Sequence, residues 1–428
     1  MFAVLPGPNC TLTSLHDLEA LSDTQKPLDG MPNDVPIVQV VKSAETAPDH
    51  VMSEFAPNHY SPLLKRHGPL HFVVSTGSGS RIARRFFLLT VFPLLGLLGL
   101  AESLDYEAHF TESQYSVSDL TKSLFIPIAR AGRSVLKIVL LSGDGGIVDV
   151  VNTIYRYRID TEHWVKPQIT ILPFGTGNAL SNSYNYLQDQ TYGLSAMMRG
   201  LQRPLPVFRV TCSPGSRLLV NESNKGQPLP VQNQRCTLWG AVVCSWGLHA
   251  SLVGDSDTSH YRRFGPERFR MAANALLYPE DGSAPHKYRG RVAFLPSESY
   301  DWRIVPRTEH SYVLATLVSH LERGFNISPD SQSLDGRMRL IEMPNLSGDD
   351  ISSVLAAAYR DGEHLRSEHV GYHEIEGLRI DVDEEDPRWR RICVDGKIIQ
   401  LGKGGWVQVE REHRNLLDVL YMPPKGRT

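Results

Sequence analysis

Apolar positions in the first half of the chain gather in short runs. Each run ends in a glycine-rich turn and is followed by residues spaced as a helix. His71–Val74 ends at Ser75-Thr76-Gly77-Ser78-Gly79, with a helical pattern from Arg81. Val135–Leu141 ends at Ser142-Gly143-Asp144-Gly145-Gly146 and leads into a helical Ile147–Arg156. Gln168–Leu172 ends at Pro173-Phe174-Gly175-Thr176-Gly177-Asn178, before a helical Ala179–Leu187. Apolar runs of this length, bounded by glycine, read as strands buried on both faces. Three strand–turn–helix units imply an α/β domain whose parallel strands end along one edge, with their loops forming one site.

Beyond Pro204 the pattern changes to short β-rich segments between polar turns. These are Val207–Cys212, Cys236–Ser245, Arg291–Leu295, Tyr312–Val318, Met338–Glu342, Gly377–Val382, Arg391–Val394 and Trp406–Val409. The spacing predicts a second, mostly antiparallel domain, a sandwich or curled sheet. Residues 1–65 hold eight of the 28 prolines. Proline breaks helix and sheet pairing alike, so a partly disordered extension is expected there, with Val35–Val41 as its one candidate edge strand. The organisation predicted is an extension over 1–65, an α/β nucleotide-binding domain over 67–200 and a β-rich lipid-binding domain over 203–428. Met197–Arg209 makes the crossing, and the site lies in the cleft between the two domains. Phe86–Leu100 is the most apolar stretch. Its 15 residues fall short of the roughly 20 that span a bilayer, so it is expected to be a buried helix plus an apolar loop, or in part to touch a membrane surface or line an acyl pocket.

Composition narrows the function. Lys plus Arg number 44 against 47 Asp plus Glu, a net charge of −3, which argues against a nucleic-acid partner. The five cysteines are scattered, with no C-x-x-C pair, so neither a disulfide framework nor a thiolate zinc site is indicated. The first residues lack a basic stretch followed by a long apolar one, so no secretory signal is expected and a cytoplasmic location follows. Glu107 and His109 offer no metal-like spacing, and His249 beside an apolar strand reads as a core residue.

A glycine turn opening a helix presents unpaired N–H groups and the positive end of the helix dipole, both of which favour phosphate. Three on one edge could surround a triphosphate. Neither the G-x-x-x-x-G-K-T/S loop nor G-x-G-x-x-G occurs. Asp144 stands out, because an acid inside a phosphate loop opposes its own ligand. It could be a turn former, a metal or water ligand, or the acceptor of a substrate hydroxyl proton in phosphoryl transfer.

Ser142-Gly143-Asp144-Gly145 with Val148-x-x-Val151-Asn152, then Leu172-Pro173-x-Gly175-Thr176-Gly177-Asn178-Ala179-Leu180, resembles the lipid kinase family of diacylglycerol, sphingosine and ceramide kinases. The sphingosine branch fits best. Tyr261-Arg262-Arg263-Phe264-Gly265-Pro266-Glu267-Arg268-Phe269 and Tyr288–Pro296 also resemble segments of that branch. The resemblance runs from about Leu70 to the C-terminus.

It implies Asp144 as the catalytic base. Nucleotide contacts follow from Ser75, Thr76, Gly77, Ser78, Gly79, Thr111, Ser142, Gly143, Gly145, Gly175, Thr176, Gly177, Asn178, Arg262, Arg268 and Asp395. Asp255 matches an acid that recognises the amino-alcohol head of a sphingoid base. ATP and Mg²⁺ are the implied cofactors, and a lipid reached at a membrane surface is the implied substrate. Two departures stand out. Ser75-Thr76 replaces an Asn-Pro in the first loop, and Lys397 reverses the charge of a Glu after Asp395-Gly396. The reading is a kinase transferring the γ-phosphate of ATP to a primary hydroxyl, most of all on a sphingoid long-chain base. Alternatives are a diacylglycerol or ceramide kinase, an NAD kinase, or a degenerate lipid- or nucleotide-binding homologue.

Overall fold

A computed structural model describes residues 68–157, 163–186, 191–220, 222, 225–229, 231–232, 235–265 and 267–423. It also gives the backbone of three strands, Phe2–Leu5, Cys10–His16 and Ile37–Ala44, which pair antiparallel in that order. The expected strand at Val35–Val41 corresponds to Ile37–Ala44, at the edge of this small sheet. The remainder of the expected 1–65 extension lies outside the described residues.

The α/β domain is built on a six-stranded sheet. Its order is Tyr106–Phe110, Leu70–Val74, Lys137–Ser142, Gln168–Pro173, Asp418–Tyr421, Leu201–Pro204. The first four strands are mutually parallel. Leu70–Val74, Lys137–Ser142 and Gln168–Pro173 are buried at every position, which is why they read as mostly apolar runs. Asp418–Tyr421, expected within the second domain, instead joins the first sheet, parallel to Gln168–Pro173 and antiparallel to Leu201–Pro204. A parallel pairing 250 residues away in sequence leaves no local pattern, so only tertiary structure reveals it.

Phe86–Leu100 is the expected buried helix followed by a short apolar turn at 98–100. A helix runs from Ala83 to Leu97 through a π-helical turn at Phe87–Val91. Phe86, Phe87, Val91, Leu94 and Leu95 are buried against the sheet, while Leu88 and Phe92, one turn apart, are each 46% exposed. A second helix, Ser116–Ala131, repeats the device, with a π turn at Thr121–Phe125. In both helices a proline follows at once, Pro93 and Pro127. Proline lacks the N–H and crowds the preceding turn, and the wider π turn accommodates that. Among the described residues no helix is long and apolar enough to cross a membrane.

Among the described residues the second domain is built on one antiparallel sheet of 14 strands, beside a small hairpin of His320–Glu322 with Phe325–Asn326. Met338–Pro344 pairs with both Glu309–Thr316 and Gly371–Val382, and these two also pair with Tyr288–Pro296. The sheet therefore curls on itself, and the core is continuous from the first domain into it. The segment expected as a single strand, Cys236–Ser245, is two, Arg235–Gly240 and Val243–Gly247. The break falls where the Asp395 carboxylate accepts from the amides of Ala241, Val242 and Val243.

Candidate active site

Register brings the loops together. Val74 lies beside Leu141 and Phe110, and Ser142 beside Pro173. The residues that follow these strands therefore emerge side by side at one edge. Thr76 donates its amide to Thr111 Oγ1 at 3.0 Å, and its hydroxyl to the Thr111 carbonyl at 2.7 Å. Ser78 Oγ lies 2.6 Å from Ser75 Oγ and 3.5 Å from Ser142 Oγ.

Glycine is required where the loops touch. A Cβ on Gly143 would come within 2.7 Å of the Gly175 Cα, and one on Gly79, at φ +51°, within 2.4 Å of the Phe174 carbonyl oxygen. Around Gly77 and Gly145, by contrast, nothing stands within 4 Å of a Cβ position. Two glycines thus face open space inside a cluster that other glycines hold closed. That geometry suits backbone amides approached by phosphate.

Asn178 sits in the left-handed region at φ +54°. Its side chain accepts from the Gly175 amide and donates to the Gly175 carbonyl, both at 2.9 Å. Asn182, which sequence reasoning missed, braces the same loop by donating to the carbonyls of Gly177 and Asn178. Its signal was the four-residue spacing from Asn178.

Asp144 opens the helix Asp144–Arg156, and its carboxylate accepts from the amides of Ala179 (2.7 Å) and Leu180 (3.1 Å). It caps the short helix Ala179–Ser183, so the acid has a structural partner beyond a tight turn. Burial lifts its pKa to about 6 against the pull of those two amides. Burial likewise lifts Asp395 to about 7 against its three amide donors, with the Asp144 charge adding to the rise. The two acids therefore share one electrostatic environment. Tyr184, buried nearby and also missed from sequence, feels both carboxylates.

The other expected residues have partners of their own. Arg262 makes a paired contact with Asp257 at 2.8 and 3.0 Å, and Arg268 lies 3.7 Å from the same carboxylate. Neither donates to the glycine loops among the described residues. Asp255, expected to receive an amine, is held by Arg391 at 2.6 Å and Arg388 at 3.0 Å. Its charge is already met by two guanidinium groups. Lys397, whose charge reversal pointed to a disturbed nucleotide contact, finds Asp149 on the Asp144 helix at 2.7 Å. His249 is partly buried, its ring Nδ1 2.7 Å from Ser245 Oγ.

Residues 69–210 match the family model for the diacylglycerol kinase catalytic domain. The chain contains that domain. All three glycine loops and Asp144 lie within it. Human sphingosine kinase 2 is 28% identical over 244 residues, covering 55% of this chain and 32% of that protein. Human sphingosine kinase 1 is 24% identical over 284 residues, covering 57% and 67%. The match thus spans about a third of the first relative's length. A solved structure of a putative diacylglycerol kinase from Bacillus anthracis superimposes with a TM-score of 0.55 over 84% of this chain and 99% of its own, at 12% identity. That likeness establishes the fold: an α/β domain followed by a large antiparallel β domain.

Proposed function

We propose that the protein is an ATP-dependent lipid kinase that phosphorylates a primary hydroxyl, with a sphingoid long-chain base as substrate. The observation that carries this reading is the convergence of three glycine loops on Asp144, with open space beside Gly77 and Gly145. The hydroxyl oxygen bonds to the γ-phosphorus as the bond from that phosphorus to the β–γ bridging oxygen breaks. ADP leaves, and the hydroxyl proton passes to the Asp144 carboxylate. Mg²⁺ neutralises phosphate charge in such reactions. Arg262 and Arg268 would reach phosphate only after release from Asp257. Peripheral association with a membrane is supported by the outward apolar pair Leu88 and Phe92.

The sphingoid assignment is supported by the relatives' names. A second reading, a neutral lipid alcohol of the diacylglycerol or ceramide type, is favoured by the pairing of Asp255 with Arg388 and Arg391. A panel of sphingoid bases, diacylglycerol and ceramide with labelled ATP tests both. Labelled phosphate in the base alone selects the first, and label in the neutral lipids the second. ATP binding with no lipid-dependent ADP release defeats the kinase reading.

A further inference from the structure

The outer edge of the first sheet carries three side chains that the proposed reaction leaves unused. Parallel pairing sets Glu107 opposite His71 and His109 opposite Val73, and strand alternation puts His71, Glu107 and His109 on one face. His71 Nδ1 lies 3.0 Å from His109 Nε2, and Glu107 Oε2 lies 3.6 Å from each nitrogen. A point equidistant from the three atoms is about 2.0 Å from each, close to the zinc–ligand bond length. We propose that His71, Glu107 and His109 bind a single divalent transition-metal ion of the zinc class, clamping the edge strand Tyr106–Phe110 to Leu70–Val74.

A second observation supports this. His71 is 2% exposed in a strand whose other four residues are apolar, and its Nε2 has no hydrogen-bond partner among the described residues. A buried imidazole left partly unsatisfied is costly, and packing alone would favour valine there. The two rings face each other nitrogen to nitrogen, with centroids 5.2 Å apart. On metal entry the imidazole that donates in this contact shifts its proton to its other ring nitrogen, so that both facing nitrogens offer lone pairs and no proton is lost. Glu107, 57% exposed, gives the ion a path and leaves a coordination position to solvent. Two nitrogen donors favour zinc over magnesium or calcium. The strand leads directly into Thr111, which holds Thr76, so the clamp steadies the first glycine loop. The site stands independently of the kinase reading.

The test uses the full chain, stripped with chelator and titrated with Zn²⁺, and with Co²⁺ as a spectroscopic probe. The wild type is expected to bind one zinc per chain and to give the visible d–d bands of low-coordinate cobalt. His109→Gln and Glu107→Gln, both at partly exposed positions, are each expected to weaken zinc by more than about tenfold and to abolish those bands. Circular dichroism confirms that each variant is folded. Absence of stoichiometric zinc in the wild type, or equal affinity in folded His109→Gln, overturns the proposal.

Discussion

Lys397 donates to Asp149 at 2.7 Å, joining the second sheet to the helix that Asp144 opens. The pair is partly exposed, 31% and 18%, so the contact is worth at most about 1 kcal/mol. Lys397→Glu would set two acids face to face. It is expected to lower the melting temperature by a few degrees, and adding Asp149→Lys is expected to recover most of the loss. A double-mutant cycle of melting curves measures the coupling. Additive effects would show that the contact carries no energy.

Asp144→Asn is expected to reduce turnover by about 10²- to 10⁴-fold, the range for losing a general base. Binding of ATP should change little. Melting curves separate this from the loss of one acceptor at the Ala179–Ser183 cap. Turnover within a few-fold of the parent would remove Asp144 from the base role.

The raised pKa of Asp144 fixes the sign of a pH effect. The base must be ionised, and burial holds its pKa near 6, so kcat/KM is expected to fall as pH drops through about 6. Asp395 titrates in the same environment, so the limb belongs to the pair. A pH–rate profile that stays flat down to pH values near 4 would contradict this.

Gly143 and Gly145 separate structure from ligand binding. Gly143→Ala pushes a Cβ into Gly175 and is expected to lower both stability and ATP affinity. Gly145→Ala meets nothing within 4 Å and replaces a helical glycine, so stability should hold or rise by up to about 1 kcal/mol. Its ATP affinity is nonetheless expected to fall, by about tenfold or more, because the methyl occupies space a phosphate needs. Unchanged nucleotide affinity in Gly145→Ala would place the phosphates elsewhere.

The Asp255 contacts bear on head-group choice. Arg391→Ala with Arg388→Ala frees the carboxylate, and is expected to raise the ratio of activity on amine-bearing lipids to that on neutral ones. Stability should drop by about 1–2 kcal/mol, between exposed and buried ion pairs. An unchanged ratio would mean that Asp255 does not meet the head group.

The α/β domain was legible because its signals are local. A strand buried on both faces is mostly apolar, and a loop packed against another loop must use glycine, so three units announced themselves and Asp144 stood out among them. The antiparallel second domain was legible for the same reason, through short runs between polar turns. Only tertiary structure decided which distant partners each polar group meets. Asp255 finds arginines 133 and 136 residues on, Asp395 holds a strand break more than 150 residues earlier, and Asp418–Tyr421 returns to the first sheet. His71 lies beside Glu107 and His109 only because two parallel strands align. Charge pairing and strand register depend on proximity in space, and no periodicity along the chain encodes it.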